Sequence, residues 1–315
     1  MLPATLTIDL GGTQIRAAAA AGGALYGRVA RPTPAEDGPA AVVDALVEAA
    51  QEVITKVGAE RAPTLVGIAA PGPLSGSMGV VFSPPNLRDW SNVPLAALLH
   101  ERLGLPVALI KDANAAALAE SRMGAAKGFS TLIYVTISTG IGGGLILGGK
   151  VYEGPDGTAG EVGHVTVDLN GPICDCGNRG CVEAVASGTA IARRAAELIA
   201  QGALRLPAGE TPSAAEVFKA ARAGEAAART VTDEVGRALG LAFVGLVHLF
   251  NPECIVVGGG MVHAGPLLLD PIRAMLARHA MPIPRGRVRV LSAALGDDVG
   301  LWGAALHAED KRSVP

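Results

Sequence analysis

The chain has 315 residues, half of them apolar, 17% charged and only 3% aromatic, with a net charge of −3. That length favours two domains, each with a core of its own. The near-balanced charge excludes a nucleic-acid binder held by electrostatics, and the longest apolar run, Ala238 to Val247, is too short to span a bilayer. Asp9 follows the first methionine too closely for a signal peptide. The cytoplasm is therefore the expected location, with neither nucleic acid nor membrane as a partner.

Thr5–Leu10 reads as a buried strand ending in Asp9-Leu10-Gly11-Gly12-Thr13, and Ile15–Ala20 as the strand that follows. A carboxylate, two glycines and a hydroxyl in a hairpin turn suit a phosphate cradle as well as they suit an ordinary hairpin. Glycine lets N–H groups approach an anion, Thr donates a hydrogen bond, and Asp holds Mg²⁺ through water. The absence of G-x-x-x-x-G-K-[ST] excludes a P-loop enzyme. Asp37–Val57 is predicted helical, with Val43, Leu46, Val47, Ala50, Val53, Ile54 and Val57 on one face and Gly58 as its stop. Thr64–Ala69 is the next strand. Ser83-Pro84-Pro85-Asn86-Leu87 is a rigid loop that either presents the Asn86 amide or simply turns at the surface. Asn92-Val93-Pro94 opens a helix with a capping Asn, and Gly104 closes it.

Val107–Ile110 is a strand leading through Lys111-Asp112-Ala113-Asn114 into a helix over Ala115–Met123. Asp112 is thereby placed at a helix N-terminus, where free N–H groups and the helix dipole favour a carboxylate; taken alone it reads as an N-cap. Thr131–Ile137 is a strand running into Ser138-Thr139-Gly140-Ile141-Gly142-Gly143-Gly144, then a further strand to about Leu147. This repeats the strand–glycine–strand device of the N-terminus. Two such turns, one in each half, suit two lobes that grip a polyphosphate from opposite sides.

The stretch EVGHVTVDLNGPICDCGNRGCVE, Glu161 to Glu183, holds His164 and three of the four cysteines, Cys174, Cys176 and Cys181. Thiolate and imidazole are the preferred donors of tetrahedral zinc, and four protein ligands leave no position for activated water, so a structural Zn²⁺ is expected. Gly177 and Gly180 let the knuckle fold tightly. Disulfides are not expected in a chain with no mark of secretion. Beyond it, Ala184–Gly240 reads as helical with polar breaks and a loop near Pro207–Pro212, and Ala238–Phe250 as a buried helix. Cys254–Val257 is a strand, with Cys254 a core thiol, entering Gly258-Gly259-Gly260, where backbone lies close to a flat base. Arg287–Leu291 is the last strand, Gly300–Ala308 the last helix and Glu309–Pro315 a frayed polar tail.

Together these pieces resemble the ROK family of sugar kinases and related repressors, in the actin-like ATPase superfamily. The resemblance runs from about Thr5 to His307 and rests on Asp9–Thr13, Asp112-Ala-Asn114, Ser138–Gly144, Glu161-x-x-His164, C-x-C-G-x-x-G-C-x-E and Gly258–Gly260. It implies an α/β, two-lobed, ribonuclease H-like fold with the zinc knuckle in the larger lobe. Residues 1–111 with a C-terminal helix over 299–315 are the expected small lobe, and 112–298 the larger. Sugar and ATP are expected in the cleft between them.

By the same resemblance Asp112 is the general base on the sugar hydroxyl. Asn86, Glu161, His164 and Glu183 bind the sugar, with His164 also ligating zinc alongside Cys174, Cys176 and Cys181. Asp9, Gly11, Gly12, Thr13, Thr139 and Gly140 face the phosphates and Mg²⁺, and Gly258 and Gly259 line the nucleotide pocket. The implied reaction is ATP-dependent phosphorylation of a hexose at its 6-hydroxyl, glucokinase-like in the leading reading. Alternatives are kinases for fructose, mannose or an N-acetylhexosamine, polyphosphate as donor, and a sugar sensor without catalysis. A repressor is not expected, because Asp9 leaves no room ahead of it for a helix-turn-helix. A homodimer or homotetramer is implied. One departure concerns Lys111, where the family usually has an Asn that touches the sugar. An ammonium cannot accept a hydrogen bond; it holds Asp112 ionised, favours an anionic substrate, or points to solvent.

Overall fold

A computed structural model of the chain describes residues 4–206 and 212–312. The loop predicted near Pro207–Pro212 lies outside the described residues except for Pro212, as do residues 313–315 of the predicted tail. The chain divides into two compact units, one of Met1–Gly124, Lys150–Ala159 and Leu295–Pro315, the other of Ala125–Gly149 and Gly160–Ala294. Asp112 and the helix it opens group with the first unit, as do residues 150–159, whereas the resemblance had ended the small lobe at residue 111.

The first unit is built on a sheet of order β3-β2-β1-β4-β7, from β1 (Ala4–Leu10), β2 (Gln14–Ala21), β3 (Ala24–Pro32), β4 (Pro63–Ala70) and β7 (Val107–Lys111). The hairpin β1–β2–β3 is antiparallel, and β4 and β7 run parallel to β1. Two-residue strands β5 (Leu74–Ser75) and β6 (Val80–Val81) pair with each other, and β10 (Lys150–Val151) belongs to the re-entrant segment. Leu6, Ile8 and Leu10 of β1 pack with Val42, Leu46 and Val53 of α1 (Gly38–Val57), and Leu95 and Leu99 of α2 (Leu95–Leu103) join the same core. Apolar residues at the helical period are removed from water on one face, which drives this packing. Helices α3 (Asp112–Arg122) and α10 (Val299–Arg312) approach closely, because Gly303 lies on the Ala115 carbonyl where a Cβ would not fit. Thr7 Oγ1 donates to the Leu301 carbonyl, fixing α10 on β1.

The second unit has a sheet in which β8 (Leu132–Ile137) pairs antiparallel with β9 (Ile141–Leu147) and parallel with β11 (Cys254–Gly258), which in turn pairs parallel with β12 (Arg289–Ser292). Its helices are α4 (Val182–Ala186), α5 (Gly188–Ala200), α6 (Ala214–Ala223), α7 (Ala226–Phe250), α8 (Pro266–His279) and α9 (Pro282–Arg285). Cys254 is fully buried, and burial pushes its thiol up to about 12, as befits an inert core residue.

Five local expectations are corrected. Helix α3 starts three residues earlier than the Ala-rich run, so Asp112 is its first residue and Lys111 holds the cap position. Helix α2 starts at Leu95, after Pro94; Asn92 sits in a left-handed turn (φ 53°) and does not cap it. Residues Glu309–Arg312 are not frayed but complete α10, where Asp310 accepts two hydrogen bonds from Arg122 at 2.8 and 2.6 Å. Helix α7 buries one face only, since Leu249 is 79% exposed. Helix α8, unforeseen between Pro266 and His279, carries Pro271 in its interior. Among the described residues no helix is long and apolar enough to cross a membrane.

Candidate active site and metal centre

In the first unit β1 delivers Asp9 at its end, the turn Gly11–Thr13 follows, and α3 begins with Asp112. The turn closes because the Gly11 N–H donates to the Gln14 carbonyl (3.0 Å), and Thr33 ties it from behind through Oγ1 to the Gly11 carbonyl (2.7 Å). Gly12 lies so near the Asn86 backbone and side chain that a Cβ there would sit 2.9 Å from the Asn86 Cβ. The exposed Asn86 loop and the glycine turn are therefore neighbours.

Asp9 is pushed from 3.8 to about 6, first by burial and next by the charge of Asp112, with Arg16 (Nη1 to Oδ2, 3.8 Å) opposing. A buried carboxylate whose proton affinity is raised by a second carboxylate, at the end of a glycine turn, suits a bound cation. Its folded value lies above its unfolded one, so the stabilisation Asp9 gives is complete below pH 3.8 and gone above about 6. At neutral pH the ionised Asp9 opposes folding. Asp9→Asn is therefore expected to raise the stability of the ligand-free protein at pH 8 by roughly 1–3 kcal/mol. That gain should shrink to nothing at pH 4, which thermal melts at the two pH values check; a variant less stable at pH 8 would contradict it.

Lys111 does not point to solvent. It is 4% exposed, its stem lies against Gly72, and its ammonium donates to the Ala159 carbonyl at 3.1 Å. It thus ties the re-entrant segment, two residues ahead of Glu161.

In the second unit β9 starts at Ile141, inside the predicted glycine turn, so the turn that joins β8 to β9 is only Ser138–Gly140, with Ser138 and Thr139 exposed. Glu183, on α4, is half-buried, and its Oε2 accepts the Ile141 N–H at 2.6 Å. Ser138 and Thr139 also line a cavity of about 630 Å³, together with Thr189, Phe218, Arg222 and Met261. Gly258 and Gly259 stand just before Gly260 and Met261 in its wall. Side chains at those two positions would collide with the Tyr134 ring and the Ile137 backbone of β8. The sequence reading passed over Thr189, Phe218 and Arg222, which sit on α5 and α6 with no local motif to mark them.

Glu161 is exposed, and His164 is half-buried at the end of a short 3-10 turn, Val162–His164. His164 Nδ1 lies 3.6 Å from Cys174 Sγ, Cys176 Sγ lies 3.7 Å from Cys181 Sγ, and the four ligand atoms all fall within 4.8 Å of one another. A tetrahedral zinc with Zn–S about 2.3 Å and Zn–N about 2.0–2.1 Å spaces its ligands about 3.8 Å (S to S) and about 3.6 Å (N to S) apart. The donor set fits that ion. The knuckle is closed by Cys174 N–H to Asn178 O (2.8 Å) and Gly177 N–H to Cys174 O (2.9 Å). Gly180, at φ 71°, has the Asp168 carbonyl where a Cβ would be, so only glycine serves there. Burial and the neighbouring thiols push Cys181 up to about 12. Burial also raises Cys174, whereas the Asn178 backbone N–H lowers Cys176, and a cation among the three would favour the thiolate at each.

The family model described as "ROK family" matches residues 5–311. The chain is 40% identical over 304 residues to a glucokinase of Thermotoga maritima, covering 95% of each chain. It is 37% identical to an N-acetylmannosamine kinase of Escherichia coli, over 98% of this chain and 99% of that one. The crystal structure of a ROK family glucokinase from Streptomyces griseus, in complex with glucose and AMPPNP, superposes with a TM-score of 0.83 at 35% identity, covering 98% of this chain and 99% of that one. The protein belongs to the ROK family and has its α/β, actin-like sugar-kinase fold.

Proposed function

We propose that the protein transfers the γ-phosphoryl group of ATP to the 6-hydroxyl of a hexose, with glucose as the leading substrate. The observation that carries this is the juxtaposition, in one unit, of Asp9, the glycine turn and Asp112 at the first position of α3. Phosphoryl transfer asks for positioning and charge neutralisation more than covalent help, so two N–H cradles, a cation and one base suffice. Asp112 takes the proton of the sugar 6-hydroxyl as that oxygen bonds to the γ-phosphorus and the bond to the ADP oxygen breaks. Asp9 would hold Mg²⁺, whose charge would neutralise the phosphates. The N–H groups and hydroxyls of Gly11, Gly12, Thr13, Thr139 and Gly140 hold the phosphate oxygens. Adenosine takes the cavity of about 630 Å³ ahead of Gly258 and Gly259.

Asn86, Glu161, His164 and Glu183 pair with the alternating donors and acceptors of the sugar. His164, Cys174, Cys176 and Cys181 would hold a structural Zn²⁺, which would fix the orientation of the His164 ring toward the substrate. The protein acts in the cytoplasm as a homodimer or homotetramer. Near full-length similarity to glucokinases supports the substrate class. The equally full-length similarity to N-acetylmannosamine kinases makes an N-acetylhexosamine the second reading.

The test is ADP production from ATP over a panel of glucose, mannose, fructose, N-acetylmannosamine and hexuronic acids. Glucose is expected to give the highest kcat/KM. Turnover confined to acidic sugars would assign substrate choice to Lys111. Binding of a hexose without turnover of any would replace the kinase by a sensor.

A further inference from the structure

We propose that two threonines outside the glycine turns, Thr33 and Thr189, aim the N–H groups that hold phosphate, and that Thr189 is a positioning residue for the triphosphate. The proposal rests on the kinase reading above. In a planar trans peptide the carbonyl of one residue and the N–H of the next point in opposite directions. Whatever pins the carbonyl therefore aims the following N–H.

In the second unit α5 packs behind the turn. The Thr139 carbonyl accepts two hydrogen bonds from one residue, from the Thr189 N–H at 3.2 Å and from Thr189 Oγ1 at 3.0 Å. The Gly188 N–H donates to the Ser138 carbonyl at 2.8 Å. These bonds turn the N–H groups of Thr139 and Gly140 away from α5. The Ile141 N–H is taken by the Glu183 carboxylate at 2.6 Å, so Thr139 and Gly140 are the donors the turn offers to an anion. Ser138 and Thr139 are exposed, and both stand at the cavity.

The first unit uses the same device independently. Thr33 Oγ1 donates to the Gly11 carbonyl at 2.7 Å and the Thr33 N–H to the Thr13 carbonyl at 3.0 Å. The Gly12 N–H is thereby aimed away from Thr33. Glycine turns are conformationally free, and a turn that must present N–H groups to an oxyanion gains from having that freedom removed beforehand.

The experiment compares Thr189→Val and Thr189→Ser in the full-length protein, titrated calorimetrically with adenosine, ADP and ATP in the absence of sugar. Valine keeps the shape and removes one of the two clamping bonds. Affinity for ADP and ATP is expected to fall roughly three- to tenfold further than affinity for adenosine, with hexose KM unchanged and the melting temperature held. Serine should restore the wild-type values, and Thr33→Val should show the same selective loss. An unchanged ratio of ADP to adenosine affinity in Thr189→Val, or equal loss of both, would overturn the proposal while leaving the kinase intact. A wild-type protein that binds none of the three would overturn the kinase reading, and the proposal with it.

Discussion

Asp112→Asn is expected to leave hexose affinity within a few-fold of wild type and to lower kcat by about 10²–10⁴-fold, the usual contribution of a positioned general base. The substitution keeps the shape of the side chain and its place at the start of α3, but an amide takes no proton from the sugar. It should not harm the fold. The charge of Asp112 is the second cause of the raised proton affinity of Asp9, so its removal lets Asp9 ionise more readily and relieves a repulsion. Hexose titration, kcat and thermal melting on one preparation separate these effects. A variant with near-normal kcat would remove Asp112 from the role of base, whereas one with kcat and hexose affinity lost together would make it a binding residue.

The second large effect concerns the knuckle. Cys181 is fully buried and holds the N-cap position of α4, two residues before Glu183. Cys181→Ser is expected to take zinc from about one per chain to near zero, to weaken hexose binding at least tenfold and to lower the melting temperature, because metal binding and folding are coupled. The loss should reach the substrate by two routes. His164 loses the partner that orients its ring, and α4 loses the anchor that brings Glu183 to the Ile141 N–H. Metal analysis with hexose titration checks this; one zinc per chain and full affinity in the variant would contradict it.

The glycine turns, the acidic strand end and the Cys/His knuckle were legible as sequence because each concentrates its chemistry in a few adjacent residues. The strand–glycine–strand pattern placed β1, β2 and β8, though β9 starts at Ile141, within the run read as turn, and the helical recurrence of apolar residues along α1 placed that helix to within a residue. Helix α8 was not legible, since proline disfavours a helix interior and Pro271 lies inside this one, whereas Pro266 stands at the helix start, where its missing N–H is harmless. The partner of Lys111 was not legible either, because Ala159 lies 48 residues away and contributes only a backbone carbonyl. Thr33 and Thr189 illustrate the same limit. Each acts on a turn from a distance of 22 or 50 residues through backbone atoms that carry no sequence signal. Local chemistry writes itself into motifs, whereas the contacts that aim it do not.

The most direct test of the central claim is the identity of the product. The protein is incubated with ATP, Mg²⁺ and carbon-13 glucose, and phosphorus and carbon NMR spectra are followed with time. A phosphomonoester coupled to C6, formed in step with ADP and absent with Asp112→Asn, is the predicted result. Unchanged glucose, or ADP accumulating with inorganic phosphate and no sugar ester, would contradict it.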